Sequence, residues 1–125
     1  MIVGIGIDSV EIERVDELVA RFGARARDRI FTPRELEQAG TGPAAAPSLA
    51  ARFAAKEAAM KALGTGWSAG IGFRDIELDR SPSGAPALLL HSAAAARAST
   101  LGATRFHVSL THTRATATAV VILER

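Results

Sequence analysis

Val3, Ile5 and Ile7 alternate with Gly4 and Gly6 and lead to Asp8, a period of two that predicts a strand with its aliphatic face buried. Gly4, Gly6 and Asp8 fall on the other face, where backbone or ligand can approach closely beside a carboxylate. From residue 10 the period lengthens: Ile12, Val15, Leu18, Val19 and Phe22 form a helical stripe, with Arg14, Glu17 and Arg21 on the exposed face. "TPRE" (32–35) starts a second helix, with Thr32 as cap, Pro33 in the first turn and Glu35 completing a capping box. That helix ends in "GTGPAAAPS". Ser48 is the expected cap of the main helix over 49–63, which stops at Gly64.

On the main helix Ala50, Ala51, Ala54, Ala55, Ala58 and Ala59 predict close packing against another element, while Phe53, Glu57, Met60, Lys61 and Gly64 share a face. "GTGWSAGIG" is a glycine-rich connection. "RDIELDR" and "APALLLH" flank the turn "SPSG" as a hairpin. "SAAAARASTLG" reads as a helix capped by Ser92 and ended by Gly102. "RFHVSLTHT" and "TATAVVILE" are two strands around a tight turn near Arg114. The order β-α-α-α-β-β-α-β-β predicts an α+β fold, one domain over residues 1–125, with an antiparallel sheet packed on a long central helix.

Composition narrows the classes. The chain is 48% hydrophobic and has no apolar run near the roughly 20 residues of a membrane span. "MIVGIGIDSV" has no basic leader region, so a cytoplasmic protein is the expectation. With no cysteine there is no disulfide, thiolate metal site or thiol nucleophile. The sequence pI of about 9.9 reflects a chain with no tyrosine and two lysines more than its net charge of +2. Locally, residues 21–29 carry four arginines against one aspartate. No basic strand is interleaved with aromatics, which argues against a nucleic-acid module.

The two lysines, Lys56 and Lys61, stand on one helix either side of Glu57, whereas the other 13 basic residues are arginine. The plain alternative is an i,i+4 pair of Glu57 with Lys61 on a solvated face. The chemical reading joins Asp8 and Glu57, hard oxygen donors that suit Mg²⁺ with water and phosphate completing its shell. Lys61, one turn along, would then meet the same phosphates as a point charge. His107 and His112 fall on opposite faces of a regular strand, so they do not converge on one metal; Ser109 and Thr111 share the face of His107. No G-x-S-x-G context supports a serine hydrolase, and Ser9 stands where a dinucleotide fingerprint needs its third glycine.

"GIGID", "RFAAKEAAMKAL", "GFRDIEL…SGAP" and "HVSLTHT…A" follow one another as in the holo-acyl-carrier-protein synthases. The chain resembles this short, trimeric branch of the 4′-phosphopantetheinyl transferase superfamily from Ile2 to Glu124. The resemblance implies transfer of 4′-phosphopantetheine from coenzyme A to a serine of an acyl carrier protein, with Mg²⁺ as cofactor and adenosine 3′,5′-bisphosphate as the other product. It implies Asp8 and Glu57 as metal ligands, Lys61 beside the pyrophosphate, and Lys56, the first lysine of K-E-A-x-x-K, also facing phosphate. For the serine proton, Glu57, directly or through a water on the metal, is the first candidate base.

Gly64, Thr65 and Gly66 match the loop near coenzyme A. His107, Ser109, Thr111 and His112 match the motif lining its far side across a subunit boundary, so a homotrimer with shared sites is expected. Arg14, Arg21 and Arg25, with Arg27 and Arg29, match the docking region for the acidic carrier. Ser9 and Thr111 depart from the usual pattern, though Thr111 keeps a hydroxyl. A non-catalytic carrier-binding scaffold is the rival, and retention of Asp8, Glu57 and Lys61 argues against it.

Overall fold

A computed structural model describes residues 1–66 and 70–125. In chain order it has β1 (Ile2–Glu11), α1 (Ile12–Ile30), α2 (Pro33–Ala39), α3 (Ala45–Leu63), a 3₁₀ turn (Phe73–Asp75), β2 (Ile76–Arg80), β3 (Pro86–Leu90), α4 (Ser92–Leu101), β4 (Arg105–His112) and β5 (Thr116–Glu124). The expected α+β order is present. β1, β5 and β4 form an antiparallel sheet in that order, and β2 and β3 a separate hairpin.

The alanines decide how α3 meets the larger sheet. Ala54, Ala55, Ala58, Ala59 and Ala62 are buried, and opposite them lie Ala119, Val121 and Leu123 of β5. Small side chains let the helix backbone approach β1 so closely that only glycine fits beneath it. A Cβ on Gly4 would lie 2.2 Å from the Ala62 carbonyl oxygen. The buried face of β1 is therefore the glycine face, opposite to the one its periodicity predicts. Ile5 and Ile7 remain 63% and 62% exposed on the outer face. The period of two is real, but steric fit to α3 overrides residue size in choosing the inner side.

Three boundaries also differ from expectation. α3 starts at Ala45, because Ala45 and Ala46 extend it and Pro47 is tolerated in a first turn. Ser48 therefore lies inside the helix, and its hydroxyl accepts from Arg52 rather than capping. His91 takes the cap position of α4 in place of Ser92, without a side-chain cap bond. α1 is broken at Gly23, with φ 64°, immediately after Phe22, which is 57% exposed rather than part of the core stripe. The Thr32–Glu35 capping box forms as its spacing predicts. Trp67, Ser68 and Ala69 of the glycine-rich connection lie outside the described residues.

Candidate active site

Because Gly4, Gly6 and Asp8 share one face of β1, the same alternation that brings the glycines under α3 aims Asp8 at that helix. Glu57 and Lys61, four residues apart, occupy one face of α3 opposite it. Lys61 Nζ donates to Asp8 Oδ1 at 3.0 Å and to the Ile7 carbonyl at 3.0 Å. The close partner of Lys61 is thus Asp8 on the strand, and not Glu57 on its own helix. Asp8 Oδ2 is buried and has no hydrogen-bond partner. Burial, then the charge of Asp8, raises the Glu57 carboxyl above its ordinary range, with Lys61 opposing. Two carboxylates facing each other without a donor for Oδ2 form a site short of positive charge.

Among the described residues no group of three or more His, Cys, Asp or Glu side chains converges on one point. That excludes a zinc-type ligand cage there but suits Mg²⁺, which takes one or two carboxylates and fills its shell with water and phosphate. Asp8 and Glu57 open onto a cavity of about 410 Å³ whose wall includes Ser9, Arg14, Leu18 and Phe53. Arg14 is the α1 arginine that shares this cavity with the carboxylates. Arg21, Arg25 and Arg29 line a neighbouring cavity of about 410 Å³ with Phe22, Ile30 and Phe73.

Lys56 is not part of this site. Its ammonium group is 0% exposed and lies 2.7 Å from Glu35 Oε1. It also donates to the carbonyls of Phe73 (3.0 Å) and Ile76, so all three protons are used. Glu35 in turn accepts from the Thr32 and Leu78 amides. Burial pushes the Lys56 amine down, and the Glu35 carboxylate opposes the shift. Adjacent helix positions diverge by about 100°; with Glu57 on the cavity, Lys56 turns toward α2 and β2. It stitches three elements together and, contrary to expectation, does not line the Asp8–Glu57 cavity.

His107, Ser109 and Thr111 share the exposed outer face of β4, as alternation predicts. Within one chain this places them on the opposite side of the sheet from Asp8. His107 Nε2 lies 3.1 Å from Glu124, and that bond, then Arg105, holds the Glu124 carboxyl below its ordinary range. Thr111 and His112 line a cavity of about 330 Å³ with Ser48 and Arg52. Gly64 ends α3 in the left-handed conformation with φ 75°, and Arg97 Nε donates to the Leu63 carbonyl at 2.9 Å beside it.

Arg52 was not among the residues singled out from sequence. Its guanidinium is buried, held by Ser48 and by Gln38 Oε1 at 3.1 Å. Its Nε is unpartnered, and it borders both the Thr111–His112 cavity and a second one containing Ser109. One signal was available: it lies four residues before Lys56 on an alanine-rich helix, where any long polar side chain needs a reason.

The 4′-phosphopantetheinyl transferase superfamily model matches residues 4–119. The holo-[acyl-carrier-protein] synthase of Nitratidesulfovibrio vulgaris strain Hildenborough is 61% identical over 126 aligned positions, covering 99% of each chain. The crystal structure of the Neisseria meningitidis holo-[acyl-carrier-protein] synthase superposes with a TM-score of 0.90 at 35% identity, over 100% of both chains. That of the Helicobacter pylori enzyme, in complex with coenzyme A, gives 0.84 at 32% identity, over 96% of this chain and 99% of the other.

Proposed function

The chain belongs to the 4′-phosphopantetheinyl transferase superfamily, and from that premise we propose how Asp8, Glu57 and Lys61 carry out its reaction. The chain is a holo-acyl-carrier-protein synthase by activity: it transfers 4′-phosphopantetheine from coenzyme A to an apo acyl carrier protein. The observation that carries the site assignment is the buried, unpartnered Asp8 Oδ2 facing Glu57 at the wall of an open cavity.

Asp8 and Glu57 would hold Mg²⁺, and the ion would supply positive charge against the phosphates of coenzyme A. The carrier serine Oγ forms a bond to the phosphorus that bears pantetheine, in line with the oxygen that leaves. That P–O bond breaks, and adenosine 3′,5′-bisphosphate departs with the electron pair. The serine proton passes to Glu57, directly or through one water. Lys61 offsets charge on the leaving oxygen. Arg52, buried and with a free Nε, offers a fixed cation to a second anionic group of coenzyme A near Thr111 and His112.

His107, Ser109 and His112 reach coenzyme A from a neighbouring subunit. The support is the position of His107 and Ser109 across the sheet from Asp8, together with the exposed aliphatic face of Ile5 and Ile7, which a homotrimer would cover. Arg14, Arg21 and Arg25 receive the acidic carrier beside the carboxylates, and opposite charge steers its approach. The cytoplasm is the compartment we propose from the family likeness; separately, no helix among the described residues is long and apolar enough to cross a membrane.

Chromatographic detection of adenosine 3′,5′-bisphosphate tests this assignment. Release should require coenzyme A, apo carrier and Mg²⁺ together, and should be lost in Glu57→Gln while coenzyme A binding persists. Undiminished release by Glu57→Gln would remove Glu57 from the site.

A further inference from the structure

Asp8 presents two different oxygens. Oδ2 is buried and has no donor, whereas Oδ1 accepts from Lys61 at 3.0 Å. The lysine is anchored lightly: its other bond is to the Ile7 carbonyl of edge strand β1, and its side chain is 56% exposed. We propose that Lys61 is the resident counter-ion of the Asp8–Glu57 pair before metal arrives, and that a divalent cation at these carboxylates drives its ammonium group off Asp8 toward the phosphate-bearing ligand. The inference rests on the reading of Asp8 and Glu57 as ligands.

Two steps of electrostatics lead to it. Without a cation, two facing carboxylates repel each other, and the only positive side chain bonded to either is Lys61, among the described residues. When a dication takes their charge, the attraction that held the ammonium on Asp8 becomes repulsion from the ion beside it. Little resists the departure. The Lys61 side chain is more than half exposed, so its ammonium group stays within reach of water when it leaves Asp8. The flexible stem then lets the charge move to a new anion, which a guanidinium clamped by two parallel bonds would do less readily. Metal loading would thus arm the lysine, and the same residue would serve as placeholder and as phosphate partner at successive stages.

The sequence supplies a clean reporter. The chain contains only two lysines, and Lys56 is 0% exposed, so ¹³C-lysine labelling gives one signal at the site and one internal reference. At constant pH, titration with Mg²⁺ alone should move the Lys61 Cε–Hε signal toward that of a solvated lysine and leave Lys56 in place. The movement should saturate together with the heat of Mg²⁺ binding. Lys61→Met should bind Mg²⁺ roughly threefold to fivefold more tightly, since the competing cation is gone. Mg²⁺ binding by calorimetry with an unmoved Lys61 signal would overturn the exchange and leave Lys61 a fixed support for Asp8. Weaker Mg²⁺ binding by a folded Lys61→Met would do the same. Absence of Mg²⁺ binding by both methods would overturn the ligand assignment as well.

Discussion

A side chain on Gly6 would put its Cβ 1.9 Å from the carbonyl oxygen of Ala58. Backbone stands against backbone there, so no rotamer change relieves the clash. Gly6→Ala should therefore cost about 3 kcal/mol, the upper end of overpacking penalties, and should push α3 away from Asp8. Urea unfolding and transferase activity measured together check this: both should fall, and a stable, fully active Gly6→Ala would contradict the packing.

The two lysines of α3 should separate cleanly by phenotype. Lys56→Met leaves the buried Glu35 carboxylate unpaired and should destabilise the fold by about 3–5 kcal/mol. Lys61→Met, at an exposed position, should unfold at nearly the wild-type urea midpoint yet lose transfer. Equal stability of the two variants would contradict the division of roles.

Glu77 provides a pH-dependent contribution to stability. Burial pushes its carboxyl up, but hydrogen bonds from Thr32 and His91 outweigh burial and hold it below the ordinary value of 4.5. A depressed carboxylate stabilises the fold above its unfolded pKa, and the contribution is lost as pH falls through the folded value. Glu77→Gln should therefore be less stable than wild type at pH 7, and the gap should close on acidification below 4.5. Urea midpoints across that range measure it; a gap that stays constant would contradict the linkage.

The outer sheet face should govern assembly. Ile7→Lys adds charge at a position 62% exposed in one chain, so the fold should survive while the proposed homotrimer dissociates. Light scattering after size exclusion should give the mass of one chain, with unchanged circular dichroism. An unshifted trimer mass would place the interface elsewhere.

The sequence shows the reactive face of α3 more readily than its structural one. Glu57 and Lys61 are legible because i,i+4 spacing aligns them, and Asp8 because strand alternation carries it to the side of Gly4 and Gly6. Lys56 is not legible as a core residue: its partner Glu35 lies on another helix, and a capping box gives no hint that the same carboxylate also holds a buried lysine. The inside of β1 is misread for a related reason. Hydrophobic alternation reports that two faces exist, and the fit of Gly4 and Gly6 against Ala62 and Ala58 decides which one is covered. Arg52 escapes because its supports, Ser48 and Gln38, are ordinary polar residues until the fold brings them together.

Intact-mass spectrometry of an apo acyl carrier protein, incubated with this protein, coenzyme A and Mg²⁺, tests the central claim most directly. The carrier should gain the mass of one phosphopantetheine, and the gain should vanish with chelator and with Glu57→Ala. An unmodified carrier in the presence of folded, coenzyme A-binding protein, or a gain that survives Glu57→Ala, would contradict the account.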